Sequence, residues 1–321
     1  MFHFDRGLKL TRPDLAVDFR RRQPRGFISH AHTDHMARHE LALCTPATAE
    51  LYRLRLGPRR VMEVHYRTTI EWGGLRLTAY PAGHCLGSAM LLADDGHRTL
   101  LYTGDFKLGA SATAEAAELP RADVLVMECT FGSPVYRFPP REEIVGELRA
   151  LVRRILDWNR TPVVHAYALG KSQEVIKLLT DDGIPVLQHE DVYRVSCVYQ
   201  KLGASLGPMV VYPGHHVDGH AIVAPPGRGR LAKLPGLRRP VHIAVTGWAL
   251  HQGTRGRWAV DYALPLSDHA SYDELFSTIE QVEPREIYCT HGPEVDRFVQ
   301  RLCDAGHIAY RLGAGRQRRL F

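Results

Sequence analysis

Gly26-Phe27-Ile28-Ser29-His30-Ala31-His32-Thr33-Asp34-His35 places four metal-capable side chains within six residues, from His30 to His35. The run follows an apolar-rich segment, so it is expected where a strand ends and a loop or helix begins. Alternation along an extended chain would send His30, His32 and Asp34 to one side, with His35 reaching back from the next position. Imidazole nitrogens and a carboxylate suit Zn²⁺ and similar borderline ions. A single histidine would be read as a solvated or core residue. The spacing H-x-H-x-D-H is far more specific, because each position fixes a ligand type. The stretch supplies only part of a site, and the remaining ligands must come from elsewhere in the chain.

The 321 residues are enough for about two domains. With 45% hydrophobic and 24% charged residues, the composition is that of a soluble globular protein with a substantial core. No apolar run is long enough to span a bilayer, and Met1–Gly7 lacks the apolar stretch of a secretory signal. The six cysteines are scattered without a C-x-x-C pair, which argues against a disulfide framework or a cysteine-only zinc site. A cytoplasmic location with no membrane association is therefore expected. The net charge of +6 suits a polyanionic partner, and 18 histidines exceed what core packing requires.

Before the histidine run, Leu15–Phe19 is a short apolar segment carrying one acid, Asp18. After it, Thr45 and Pro46 predict a helix start, running to Arg55. Strand patterns follow at 60–65, 74–80, 88–93 and 99–102, and a buried-type strand at 122–128 ends in Glu128. The texture changes at Pro139-Pro140. Helical spacing over 141–158, then alternating strand and helix signals to about 245, predict a parallel, doubly wound sheet. Strands are expected at 162–167, 184–187, 209–212, 221–224 and 242–245. The tail reads as helix 272–282, strand 286–290, helix 294–305 and a short strand near 309–312.

Two positions complete a constellation with the opening run. His84 lies in Pro81-Ala-Gly-His-Cys-Leu-Gly-Ser88, where Gly83 and Gly87 free the backbone to turn it inward. Asp105 follows an apolar strand in Tyr102-Thr-Gly-Asp-Phe106, a placement suited to bridging two metals. Three more residues repeat the pattern of a chemistry-bearing side chain at a strand end or before a helix. They are Glu128, His269 in Leu266-Ser-Asp-His-Ala-Ser271, and His291 in Cys289-Thr-His-Gly-Pro293. The other histidines lack such a setting.

These motifs together resemble the metallo-β-lactamase superfamily, in its β-CASP nuclease branch. His30-x-His32-x-Asp34-His35 resembles the second motif of that family, Asp18 its first, His84 its third and Asp105 its fourth. Glu128, His269 and His291 resemble the three motifs of the β-CASP branch. Glu128–Tyr136, Tyr167–Gln173 and Pro265–Ser271 are similar to bacterial ligase-associated DNA exonucleases. The resemblance implies an α/β fold, an αββα sandwich with an inserted β-CASP domain. It divides the chain into 1–140, an insertion at 141–250 and a return at 251–321. The texture break at the Pro-Pro pair falls at the first boundary.

The resemblance also implies roles. His30, His32, His84 and Asp105 would hold one zinc; Asp34, His35, Asp105 and His291 would hold the second, with Mn²⁺ able to replace either. Asp18 would orient a ligand from behind. Asp34, Glu128 and His269 would form the catalytic group, His269 acting as general acid with Glu128, or the adjacent Asp268, as its carboxylate partner. Gly170-Lys171-Ser172 opens a helix where a phosphate could rest. It is not a nucleotide-binding P-loop, because His165 stands where the first glycine is required. Arg228, Arg230, Lys233, Arg238 and Arg239 could line a backbone groove, and Tyr136 and Tyr167 could stack on a base.

The function so implied is hydrolysis of phosphodiesters in DNA, as a repair exonuclease working with a DNA ligase and other repair proteins. RNA processing is the rival within the same branch, and His291 keeps it open because a histidine at that motif is more typical of the RNA-acting members. A non-catalytic nucleic-acid-binding module is disfavoured by intact acids and histidines at every motif. A small-molecule hydrolase is disfavoured by the inserted domain.

Overall fold

The computed structural model describes residues 1–226, 234–251 and 253–313. Arg228, Arg230 and Lys233, expected in a basic groove, lie outside the described residues. The described chain forms two compact units: one of 1–110, 114–134 and the residues from 269 onward, the other of 111–113 and 135–268.

The first unit begins with a six-stranded sheet in sequence order: β1 (Phe2–Phe4), β2 (Leu8–Leu10), β3 (Leu15–Val17), β4 (Arg25–Phe27), β5 (Leu41–Cys44) and β6 (Val61–Glu63). Helix α1 (Pro46–Leu56) interrupts it between β5 and β6. Its start is fixed as the sequence predicts: Thr45 caps the Thr48 N–H and Pro46 occupies the first turn. The second sheet contains β7 (Thr69–Trp72), β8 (Leu75–Pro81), β9 (Ala89–Asp94), β10 (Thr99–Tyr102) and β11 (Val124–Glu128).

The second unit carries α2 (Arg141–Asp157), β12 (Thr161–His165), α3 (Lys171–Thr180), β13 (Val186–Gln188), α4 (Glu190–Lys201), β14 (Ala221–Ala224), β15 (Pro240–Val245), α5 (Thr254–Trp258) and β16 (Tyr262–Leu264). Its five strands run β13-β14-β12-β15-β16, every pair parallel, as strand–helix alternation requires. The run at 209–212 makes only an isolated bridge from Val211 to Gln188, not the strand its valines predict. Strand β16 was not legible in the sequence. Because it pairs with β15, this unit continues to 268 rather than closing near 250.

The chain then returns to the first unit with α6 (Tyr272–Val282), β17 (Glu286–Thr290), α7 (Val295–Asp304) and β18 (Ala309–Arg311). The second sheet is thereby completed in the order β18-β17-β11-β10-β9-β8-β7. The two sheets meet over one apolar core. Leu10, Leu15, Phe27 and Leu43 from the first face Leu77, Leu91, Leu100, Val124 and Val126 from the second. On the other face of the second sheet, Leu101, Leu125, Met127 and Cys289 pack with Leu275, Ile279, Phe298 and Leu302 of α6 and α7. A strand buried on both faces reads as a continuous apolar run, which is why β11 is Val-Leu-Val-Met. The result is an αββα sandwich. Among the described residues no helix is long and apolar enough to cross a membrane.

Candidate metal centre

Strands β10, β11 and β17 are mutually parallel, and β8 is antiparallel to β9, which is antiparallel to β10. The C-terminal ends of β8, β10, β11 and β17 therefore lie along one edge of the second sheet. His84, Asp105, Glu128 and His291 stand at those four ends. The first sheet delivers the histidine run to the same place, because that run follows β4 directly. Gly104, with φ of 57°, sets Asp105 against this run; a Cβ there would come within 2.7 Å of the Ser29 side chain. The His84 loop is pinned from both sides. Ser88 Oγ accepts from the His84 and Cys85 N–H groups, and the Thr45 and Thr48 hydroxyls donate to the Gly87 carbonyl.

Four donor atoms converge. His32 Nδ1 lies 3.0 Å from His30 Nε2 and 3.1 Å from His84 Nε2, and Asp105 Oδ2 lies 3.6 Å from His30 Nε2. One ligand atom from each of these four residues fits within a 4.8 Å span. Burial, reinforced by the neighbouring His35, His84 and His32, holds His30 well below the ordinary histidine range. Its ring is therefore neutral, with a lone pair to offer.

His35 presents the opposite face of the same centre. Its Nδ1 donates to Asp18 Oδ2 at 2.8 Å, which leaves Nε2 pointing inward, 3.2 Å from Asp105 Oδ2. That Nε2 is buried and without a hydrogen-bond partner of acceptable geometry. Burial opposes a charge on His35, yet Asp105 and Asp18 outweigh it and hold the imidazole well above its ordinary range. Asp105 is likewise held well below the carboxylate range despite its burial, chiefly by His35 and His269. A field that draws a proton to this point draws a divalent cation by the same attraction. The orphaned nitrogen, the neutral histidines and the anionic Asp105 fit a metal. His30, His32, His84 and Asp105 could hold one ion, with His35 and His291 on the side where a second could sit. His291 stacks on His35 with ring centroids 4.9 Å apart.

Asp34 departs from the expected side of the run. Residues 28–35 are a bent loop rather than an extended strand, and the His35 N–H bonds back to the His32 carbonyl. His30 and His32 stay together, while Asp34 swings out to 52% side-chain exposure. Its Oδ2 sits 3.8 Å from His35 Nε2 and 3.8 Å from Arg20.

Behind the ligands, Asp18 accepts from the Ser29 N–H, the Ser29 hydroxyl, His35 Nδ1 and the Tyr102 hydroxyl. Sequence reasoning found Asp18 but missed Ser29 and Tyr102, although each flanks a motif. Glu128 plays a parallel part for His269. Its carboxylate receives His269 Nδ1 at 2.9 Å and 3.1 Å, the Phe106 N–H at 2.9 Å, and the Thr130 hydroxyl. His269 stands beside His84, with centroids 4.7 Å apart.

The expected nucleic-acid contacts are placed differently. Lys171 is 1% exposed and its ammonium is bound to Glu174, which also binds Arg141; the Ser172 hydroxyl donates to the Ala166 carbonyl. A phosphate at that helix start would have to displace Glu174. Tyr136 is buried edge-on against Trp248, so it packs rather than presents a face. Tyr167 remains 43% exposed, beside Trp258.

The Zn-dependent metallo-hydrolase RNA specificity domain matches residues 260–310, the stretch that carries His269 and His291. A protein of Opitutus terrae named "Probable DNA ligase" is 36% identical over 323 residues, spanning 98% of this chain and 31% of that protein. The cleavage and polyadenylation specificity factor subunit 3 of Dictyostelium discoideum is 32% identical over 146 residues, 44% of this chain and 19% of its own length. The chain thus spans less than a third of either relative. A crystal structure of a protein of unknown function from Enterococcus faecalis V583 superposes with a TM-score of 0.60 at 15% identity, covering 85% of this chain and 76% of that one. That likeness concerns the fold alone. Histidines and acids gathered on one sheet edge of an αββα sandwich make a metal-binding centre of the kind a metallo-hydrolase needs. In its motifs, its fold and these relatives the chain resembles the metallo-β-lactamase superfamily, in its β-CASP nuclease branch.

Proposed function

We propose that this protein is a zinc-dependent phosphodiesterase acting on DNA, a repair exonuclease that works beside a DNA ligase. The observation that carries the reading is the pairing of two arrangements on one sheet edge. The cluster of His30, His32, His84 and Asp105 stands beside His269, whose Nδ1 is bound to Glu128. In this reading His35, Asp34 and His291 complete a second metal position, with Asp105 shared. Zinc or manganese bound there would supply an activated water at neutral pH and stabilise charge on the phosphoryl group.

The chain's own residues do the rest. Asp18 fixes His35 Nδ1 as the protonated nitrogen, so that Nε2 faces the centre. Glu128 does the same for His269. That leaves His269 Nε2 to deliver a proton to the departing sugar oxygen, a role that contributes roughly 10²–10⁴ in rate. Glu128 is itself held by Phe106 and Thr130, so the ring orientation is set before substrate arrives.

DNA is favoured by the similarity that runs through 98% of this chain to the protein named as a ligase. RNA is the second reading, favoured by the RNA specificity domain that matches residues 260–310. Purified protein supplied with Mn²⁺ or Zn²⁺ and offered end-labelled single-stranded DNA, duplex DNA and RNA separates the two. Shortening of DNA from an end is expected. Cleavage of RNA alone would sink the DNA reading, and tight binding without cleavage of either would sink the enzyme.

A further inference from the structure

Within the first unit, a cavity of about 510 Å³ opens on the side of the metal centre where Asp18 and His291 stand. This is the size of a small-ligand pocket. Its lining has two characters. Phe4, which is 39% exposed, gives it aromatic surface, with the buried Phe19 behind, and Arg6, Lys9 and Arg21 give it positive charge. Lys9 Nζ sits 5.7 Å above the centre of the Phe19 ring and 3.5 Å from Asp14. Arg20, also in the wall, is committed to Asp34. Arg6 and Arg21 make neither a hydrogen bond nor an ion pair with any described residue.

Three of the non-glycine residues with a left-handed backbone also fall here. Arg6, Asp18 and His291 all adopt left-handed φ angles, of 56°, 50° and 48°. All three line this cavity. Such a conformation costs a non-glycine residue roughly 1–2 kcal/mol, and strain of this kind gathers where a fold holds a ligand. For Asp18 the four hydrogen bonds to its carboxylate explain the backbone. Arg6 has no such compensation. Its turn, Asp5-Arg6-Gly7, folds down on Phe19: a Cβ on Gly7 would come within 2.4 Å of that ring. The turn therefore covers the Phe19 ring and leaves the Arg6 guanidinium without a partner among the described residues.

We propose that this cavity binds one nucleoside monophosphate, its base against the aromatic wall and its phosphate on Arg6 and Arg21. It would receive the end nucleotide of the strand, or the nucleotide released from it. The inference rests on the phosphodiesterase reading for its ligand class. It goes beyond that reading in extending the centre, past Asp18 and His291, into a nucleotide pocket of the first unit. Inorganic phosphate alone would leave the apolar wall unused, and a nucleoside alone would leave the arginines unused.

The test is calorimetry on the metal-loaded full chain with four probes: dAMP, AMP, deoxyadenosine and inorganic phosphate. Deoxyadenosine and phosphate should each bind about tenfold or more weakly than the better of the two nucleotides, and which nucleotide binds better reports the sugar preferred. Arg21→Glu and Arg6→Gly should each weaken that nucleotide about tenfold or more, the loss expected for one charge-assisted contact. Arg6→Gly suits the left-handed backbone, so misfolding does not explain its loss. Photolabelling with 8-azido-AMP should mark peptides from 1–25. Unchanged affinity in both variants, equal binding of phosphate and nucleotide, or labelling confined to other peptides would overturn the proposal. Nucleotide binding that needs the arginines, in a protein that cleaves neither DNA nor RNA, would keep the pocket and remove the nuclease reading. Cleavage by a protein that binds no mononucleotide would do the reverse.

Discussion

Replacing Asp18 with asparagine tests the metal centre without touching an expected ligand. The Asp18 side chain is 2% exposed. Its Oδ1 accepts the Ser29 N–H at 2.8 Å, and its Oδ2 accepts Ser29 Oγ at 2.5 Å, His35 Nδ1 at 2.8 Å and the Tyr102 hydroxyl at 2.8 Å. Asparagine has one acceptor oxygen. If that oxygen stays where three donors converge, the new amide faces the Ser29 N–H, donor against donor. If it flips, the amide faces the donating His35 Nδ1. The milder arrangement leaves one buried donor unsatisfied, about 1–3 kcal/mol. For a domain of this size about 2 kcal/mol lowers Tm by roughly 4–8 °C. The larger effect falls on the metal. Without the carboxylate, His35 loses the anchor that aims Nε2 inward, and zinc affinity should drop about 10–100-fold. Competition with a chromophoric chelator measures the affinity and calorimetry the Tm. Tyr102→Phe, which keeps the carboxylate, should lose only about 1 kcal/mol and little affinity. A lowered Tm with zinc affinity unchanged would refute the reasoning, because Asp18 would then be a packing residue only.

Asp105→Asn should abolish metal binding and activity together, since the Asp105 carboxylate faces both His30 Nε2, at 3.6 Å, and His35 Nε2, at 3.2 Å; retained zinc by elemental analysis would contradict it. His269→Ala should leave zinc bound while slowing cleavage about 10²–10⁴-fold, and loss of zinc would overturn the general-acid role. Gly83→Ala should displace His84 and weaken zinc binding in a chelator titration. Its φ is 78° and a Cβ would lie 2.2 Å from the Lys107 carbonyl, a clash the backbone must move to relieve. In the second unit, burial lowers His165 to about 4, with His242 adding to the effect. The unfolded chain therefore takes up the proton first. Stability from this residue is full above about 6.5 and is lost as pH falls towards about 4, by up to about 3 kcal/mol. Denaturant melts of His165→Leu should show a flatter pH dependence over that interval than the unsubstituted protein; equal slopes would show that His165 does not carry it.

Much of the centre was legible because its ligands are placed by rules the sequence obeys locally. A polar residue directly after a buried strand sits at a sheet edge, and parallel strands bring such edges together. His84, Asp105, Glu128 and His291 stand at such strand ends, and the His30–His35 run is what marks those ends as ligand positions rather than ordinary turns. The support behind them was less legible. Ser29 and Tyr102 converge on Asp18 from 11 and 84 residues away, and no periodicity reports a contact of that range. The loop geometry also escaped: strict alternation would keep Asp34 beside His30 and His32, whereas the turn through His35 sends it outward. Among the strands, β16 was missed because a three-residue strand carries too short a pattern, and the unit boundary moved with it.

Lys171 shows the same limit from the other direction. A lysine opening a helix after a strand is what a phosphate site looks like in one dimension. The burial that decides the matter comes from partners the pattern does not encode. Glu174 lies one helical turn on and takes the Lys171 ammonium at 2.8 Å, while Arg141, from the start of α2, reaches the other carboxylate oxygen at 2.7 Å. Both cations depend on one acid. Glu174→Ala should then be far worse than its size suggests, by about 3–5 kcal/mol, because it strands buried positive charge. Lys171→Met should be milder, since Arg141 still neutralises Glu174 and the stem is replaced by an apolar chain of similar length. Thermal melts of the two variants decide it. If Lys171→Met were instead silent in stability while nucleic-acid binding fell, the lysine would be reaching a phosphate after all, and its ion pair would be only a resting position.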